Sequence, residues 1–202
     1  MHLTISDLVI SLEARAISIR DIFSIRRELQ LPFRLHPLGF VVCTLMAEGN
    51  RKLRLHYWPV TGGRQQSPDC QIHDHIFEFR SWVLAGEVEN IEYEFDSAGL
   101  EFASYEAEYS GDVSILRKTS RRVRLDVKKQ ASHRAGSRYD VAAGVLHETR
   151  RVGLNPAVTV LLTDDVSKDS PIVLGPVDGQ VRYEYLRSVV PESTIDEMLG
   201  DI

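Results

Sequence analysis

From residue 40 onward the hydrophobic pattern of this chain changes period and keeps the new one. Runs rich in Val, Ile, Tyr and Phe, at 40–47, 53–60, 72–84, 88–95, 100–109, 113–116, 123–127, 139–141 and 158–163, read as β-strands. Gly49-Asn50, Gly62-Gly63, Ser97-Ala98-Gly99 and Gly111-Asp112 fall between them as turns. Many short strands joined by turns have to bury one sheet face against another, so the expected fold class is mainly β, a pattern that suits a double-sheet jelly roll.

The two ends read differently. Ser6 can cap a helix, Leu8, Leu12, Ile19, Ile22 and Leu29 recur at spacings that suit one apolar face, and Pro32 closes the segment. At the other end Thr194-x-x-Glu197 is a capping pattern for a short helix. The expected organisation is one domain: an N-terminal helical segment over 1–35 packed on a barrel of 36–190, closed by a C-terminal helix over 191–202.

At 202 residues and 43% hydrophobic content the chain can bury a full core. A net charge of −5 supplies no basic footprint for nucleic acid. The basic cluster between Arg117 and Lys129 alternates with Val123, Leu125 and Val127, as a solvated strand face does. Cys43 and Cys70 are the only cysteines, which suits a reducing compartment. No apolar run approaches the ~18 residues of a membrane span, and acidic Asp7 and Glu13 stand where a secretion signal would be basic and then apolar. The expectation is a cytoplasmic protein with a small-molecule partner, and with neither nucleic acid nor membrane as partner.

The chemistry concentrates on histidine. In Gln71-Ile72-His73-Asp74-His75 two imidazoles are separated by one residue, and on a strand such residues share a face roughly 6.6 Å apart. They can converge on one ion at about 2.0–2.1 Å per bond if a third ligand arrives from another strand. His147, three residues after Gly144, can supply it.

Around these residues the chain resembles the cupin family. That family's first motif, Gly-x5-His-x-His-x3,4-Glu-x6-Gly, reads here as Ser67-x5-His73-x-His75-x3-Phe79-x6-Gly86. Its second, Gly-x5-Pro-x-Gly-x2-His-x3-Asn, reads as Gly136-x5-Ala142-x-Gly144-x2-His147-x3-Arg151. The resemblance implies a jelly-roll barrel holding a metal on His73, His75 and His147, and because cupins often dimerise it adds a homodimer as a candidate partner. The family's glutamate ligand falls on Phe79, while Glu78, one residue off, has the parity of the opposite face. The implied ligand set is three neutral histidines and no carboxylate.

Such a set is similar to that of the cysteine dioxygenase-like thiol dioxygenases, most of which use iron(II). Ile72-His73-Asp74-His75 looks like their first histidine pair, the run from Asn155 to Leu162 like their Pro-Ala-Val strand, and the run from Lys52 to Trp58 like their strand ending in tryptophan. Their Ser-x-His-x-Tyr run falls on Thr159, Leu161 and Thr163, their crosslinking cysteine on Phe79, and no arginine precedes Cys43 in the substrate-gripping place. Cysteine itself is therefore not the expected substrate.

The resemblance implies a dioxygenase that uses Fe(II), with Zn, Ni or Mn as other metals that suit the set, and that acts on a small chelating anion and O2. Arg54, His56 and Trp58 share one strand face and are expected to line the substrate pocket together with Phe79 and Thr163, Arg54 as an anion clamp. A non-oxidative isomerase, cyclase or lyase using the metal as Lewis acid is the competing reading, and a binding module without turnover is a third. The stretch between Gly86 and Gly136 has room for an extra hairpin beyond a compact barrel.

Overall fold

Two capping boxes divide the N-terminal segment. In the computed structural model, which describes residues 3–61, 63, 67–68, 70–166 and 169–199, Thr4 and Asp7 exchange side-chain and backbone hydrogen bonds at the start of α1 (Ile5–Glu13). Ser18 and Asp21 repeat the arrangement at α2 (Ile19–Glu28). Arg15 at φ 53° and Gln30 at φ 52° end the two helices in the left-handed region. The single helical face expected from Ser6 to Leu29 is thus two helices, with Ser6 inside the first and Leu29 52% exposed just beyond the second. At the other end α3 (Glu192–Leu199) starts ahead of the expected Thr194 cap, because the Pro191 carbonyl already accepts from the Thr194 and Ile195 amides. Residues 200–202 of that expected helix, and Gly62 of the expected Gly62-Gly63 turn, lie outside the described residues.

Eleven strands follow α2: β1 (Arg34–Leu35), β2 (Val41–Glu48), β3 (Arg51–Trp58), β4 (Phe77–Ala85), β5 (Glu87–Ser110), β6 (Val113–Arg134), β7 (Arg138–Val141), β8 (His147–Val152), β9 (Ala157–Asp165), β10 (Ile172–Gly175) and β11 (Arg182–Leu186). They form two antiparallel sheets, one in the order β1-β2-β3-β9-β4-β7 and one in the order β10-β5-β6-β11 with β8 also paired to β5. The fold is mainly β, a double-sheet jelly roll.

The stretch between Gly86 and Gly136 is one long hairpin, β5–β6, rather than the several short strands its turn residues suggest. The expected turn at Ser97-Ala98-Gly99 is a bulge inside β5: Phe95 and Leu100 both pair with Leu125, so residues 96–99 loop out of register. The expected strand from residue 72 begins at Phe77, and the segment before it pairs only at His73. β8, β10 and β11 are further short strands beyond those the sequence predicts; β8 and β10 lack an apolar alternation, and β11 alternates Tyr183 and Tyr185 with charged residues over only five positions.

Alternation assigns the faces. Leu53, Leu55 and Tyr57 of β3 join Val41, Cys43, Leu45, Val158, Val160 and Trp82 under the helices, against Leu8, Leu12, Ile22, Phe23 and Ile195. The side chains between them, on the other face of the same strands, look into the space between the sheets. Arg80 stays on the helix side, ion-paired to Asp140 at 2.9 Å and Glu13 at 3.2 Å. Arg26, buried on α2, pairs with Glu192 at the start of α3 and ties the two ends of the chain together.

Candidate metal centre

His73 and His147 face each other as a hydrogen-bonded antiparallel pair. The His73 amide donates to the His147 carbonyl at 3.0 Å and the His147 amide donates back at 2.9 Å, which puts both side chains on one side. His75, two residues on, completes the group. Ring centroids stand 4.6 Å apart for His73–His75, 4.8 Å for His73–His147 and 5.2 Å for His75–His147. One ring nitrogen from each lies within 4.8 Å of the others, close enough to hold a metal ion.

The backbone around them is arranged for this. Asp74, between the two histidines, accepts the Ile172 amide at 2.6 Å through its carboxylate while its own amide donates to the Ile172 carbonyl, which pins β10 against the segment. Gly144 takes φ 74° in the turn before His147 and donates its amide to the His75 carbonyl at 3.0 Å, so the turn residue joins the two ligand segments directly. Gly86, at φ 66°, lets the chain leave β4 against Pro156, whose carbonyl oxygen would lie 2.3 Å from any Cβ there.

Two of the rings have a fixed tautomer. Nδ1 of His73 lies 2.6 Å from the Gln71 carbonyl and Nδ1 of His147 lies 2.9 Å from the Val145 carbonyl. A carbonyl accepts only, so Nδ1 carries the proton and Nε2 keeps its lone pair for a ligand. Burial pushes the His147 imidazole down to about 3, with the neighbouring His73 acting in the same direction. Burial also holds His75 well below the ordinary histidine range and His73 below it. All three are neutral at pH 7, the form in which imidazole binds metals.

The histidines open into a cavity of about 70 Å³. Since a buried water takes on the order of 10–15 Å³ on this measure, the space suits a ligand of only a few heavy atoms. Arg54, His56 and Trp58 are on its wall, as is Phe79, whose ring lies 5.5 Å from His147 and 6.0 Å from His75. Trp58 Nε1 donates to the Thr159 hydroxyl at 3.3 Å. Burial, with Arg54 nearby, pushes His56 down to about 3. Thr163 pairs with Phe79 across β4 and β9 and shares its face, yet it is not on the wall: its buried hydroxyl donates to the Lys52 carbonyl. Glu78 is exposed, on an outer depression with Arg51, Arg80 and Asp140.

Other residues of the wall escaped the sequence reading. Thr149 follows His147 by two on β8, so strand parity alone could have found it. Phe77 stacks on His75 at 4.2 Å and carries the Arg54 guanidinium at 4.9 Å from its ring centre. His36 stacks on Phe40, which stacks on His56, and Arg187 reaches the cavity from just past β11. No local pattern marks His36 or Arg187. A wider cleft of about 520 Å³ adjoins the cavity and shares Leu38, Trp58 and Thr149 with it. Among the described residues no helix is long and apolar enough to cross a membrane.

No family model matches the sequence and no curated protein matches it. Solved structures do. DMSP lyase DddQ from Ruegeria pomeroyi DSS-3 is 16% identical, with a TM-score of 0.45 over 80% of this chain and 69% of that one. Hydroxypropylphosphonic acid epoxidase from S. wedmorenis is 12% identical, with a TM-score of 0.42 over 67% of this chain and 55% of that one. Oxalate oxidase is 16% identical, with a TM-score of 0.37 over 82% of this chain and 67% of that one. With these scores below 0.5, the fold rests on strand order and register and the chemistry on the three histidines themselves.

Proposed function

We propose that this chain is a mononuclear metal enzyme of the cupin type, an iron(II)-dependent oxygenase in which His73, His75 and His147 hold the metal and a small chelating anion is the substrate. The observation that carries this reading is the donor set: three imidazoles grouped within ligating reach, that of His147 buried and those of His73 and His75 half-buried, with no carboxylate on the cavity wall among the described residues. Neutral nitrogen donors leave an ion its full positive charge and open coordination positions, which suits a substrate that brings negative charge of its own. Zinc, nickel and manganese fit the same donors. When bound, the metal supplies a Lewis acid and, as iron(II), electron transfer between substrate and O2.

The chain's own residues do the rest. The Gln71 and Val145 carbonyls hold the His73 and His147 rings in their ligating tautomer. Phe79, in place of a carboxylate, makes an apolar wall with Phe40, Trp58 and Leu161 that keeps bulk water from the ligands. Arg54 orients the anion through its guanidinium.

A non-oxidative reading, with the metal as Lewis acid for an isomerase, cyclase or lyase, is favoured by one observation. Thr159 and Leu161 stand on the wall where a thiol dioxygenase carries serine and histidine, and Thr163 replaces the tyrosine. Elemental analysis of the purified protein and of His147→Ala tests the site: one metal per chain in the first and little in the second is expected, and full occupancy in His147→Ala would sink the assignment. O2 uptake by anaerobically loaded iron(II) protein, offered a series of small hydroxy, mercapto and dicarboxylic acids, then separates the two chemistries. Turnover by the zinc form without O2 would transfer the assignment to the non-oxidative class.

A further inference from the structure

The cavity carries more positive charge than a metal site requires. Arg54, in the middle of β3, and Arg187, just beyond β11, line it from opposite sheets, and no Asp or Glu among the described residues is on its wall. None of the ion pairs among the described residues involves either guanidinium. Arg54 rests on the Phe77 ring at 4.9 Å and Arg187 on the Tyr109 ring at 5.5 Å. The Arg187 Nε–H is buried without an acceptor.

This is unlike the chain's structural use of a buried arginine. Arg26, 5% exposed, is met by both carboxylate oxygens of Glu192 and by the Leu31 carbonyl. A ring face returns less than a carboxylate does, and two unpaired guanidinia on one small cavity repel each other as well. Their positions are nonetheless fixed. Arg54 sits between paired neighbours on both sides of β3, and the Arg187 amide donates to the Asp112 carbonyl while its own carbonyl accepts from Arg34.

We propose that Arg54 and Arg187 form a two-pronged anion subsite that selects a short dianion, a dicarboxylate of a few carbon atoms, with one carboxylate at the metal and the other between the guanidinia. The volume of about 70 Å³ beside the histidines suits a short chain, and the charge of the wall suits more than one anionic group. Two planar forks present more N–H donors than one carboxylate at the metal would occupy, and the second carboxylate supplies their acceptors. The metal-facing half of this proposal rests on the function proposed above; the arginine half does not.

Calorimetric titration of the zinc-loaded protein with malonate, and with acetate as the single-charge control, tests it. Malonate is expected to bind well ahead of acetate, and Arg187→Gln and Arg54→Gln are each expected to weaken malonate by roughly thirtyfold, as loss of a desolvated charge partner does, while zinc content stays at the wild-type level. Acetate affinity, set at the metal, should change little in Arg187→Gln. Repeating the titration on metal-free protein separates the two readings, because arginine-dependent malonate binding should persist there even if the metal assignment fails. Equal affinity for malonate and acetate, or undiminished malonate binding by Arg187→Gln, would overturn the subsite. Should Arg54→Gln not fold, Arg187→Gln carries the test alone, since its guanidinium makes no hydrogen bond or ion pair among the described residues.

Discussion

Along β3, Leu53, Leu55 and Tyr57 face the helices while Arg54, His56 and Trp58 face the cavity, and both faces are screened from solvent. The outer set is 0–1% exposed and packs in the apolar cluster under the helices, with the Tyr57 hydroxyl donating to the Met198 carbonyl, so its contribution is mainly burial and close packing. The inner set is less completely covered, with His56 and Trp58 at 7% and Arg54 half-buried, and it carries an imidazole that burial keeps neutral down to about 3 and a guanidinium that makes no ion pair among the described residues. One strand therefore has a face that stabilises the fold and a face that costs stability, and the second is where ligands find unmet charge and lone pairs.

The largest effect expected from this contrast is on stability. Leu55→Ala removes a fully buried side chain from the helix-covered face and should lower unfolding free energy by about 2–5 kcal/mol in urea titrations. Arg54→Leu, one residue away, should raise the stability of the metal-free protein by about 1 kcal/mol, since an unpaired guanidinium is exchanged for an apolar chain. A destabilised Arg54→Leu would show that the guanidinium has a structural partner and that the two faces are not different in kind.

A smaller effect depends on pH. His56 is held neutral in the folded protein down to about 3, whereas in the unfolded chain it protonates near the ordinary value of 6.5. The unfolded state therefore binds the extra proton, and stability is complete above pH 6.5 and declines as pH falls from 6.5 toward 3. The slope from this one group is at most about 1.4 kcal/mol per pH unit. His56→Gln should flatten the stability profile of metal-free protein over that window and leave it unchanged at pH 8 relative to its own plateau. An equal slope in wild type and His56→Gln would mean that His56 does not resist protonation in the fold.

The parts of the molecule legible in the sequence are those fixed by local backbone needs. His73 and His75 are one residue apart beside the paired position of His73, and Gly86 and Gly144 hold left-handed turns at set distances from the histidines, so their spacing survives in the sequence whatever surrounds it. The division of the N-terminal segment was missed because its capping boxes use Asp7 and Asp21 where glutamate is the commoner partner. β8 is not marked in the sequence because all its residues but Val152 are polar or charged, which leaves no apolar alternation to read. Thr163 has the right parity but lies one step past the cavity's end, and depth along a strand is not written in its period. His36 and Arg187 come to the cavity only when segments far apart in the chain close over it, a tertiary event with no local signature.

The smallest expected effect sharpens the comparison from the other side of a strand. Glu78 and Phe79 are adjacent on β4, but Phe79 is 5% exposed against the histidines while Glu78 is exposed on the outer depression beside Arg51 and Arg80. A side chain of that parity cannot reach the histidines without a change of register, and β4 keeps an unbroken register with β9 from Phe77 to Val83. Glu78→Gln should therefore leave metal content at the wild-type level and move the unfolding free energy by no more than about 0.5 kcal/mol, the usual range for an exposed substitution. Loss of metal in Glu78→Gln, measured by elemental analysis after dialysis, would place a carboxylate among the ligands and return the site to three histidines and one glutamate, with an ion that no longer depends on its substrate for negative charge.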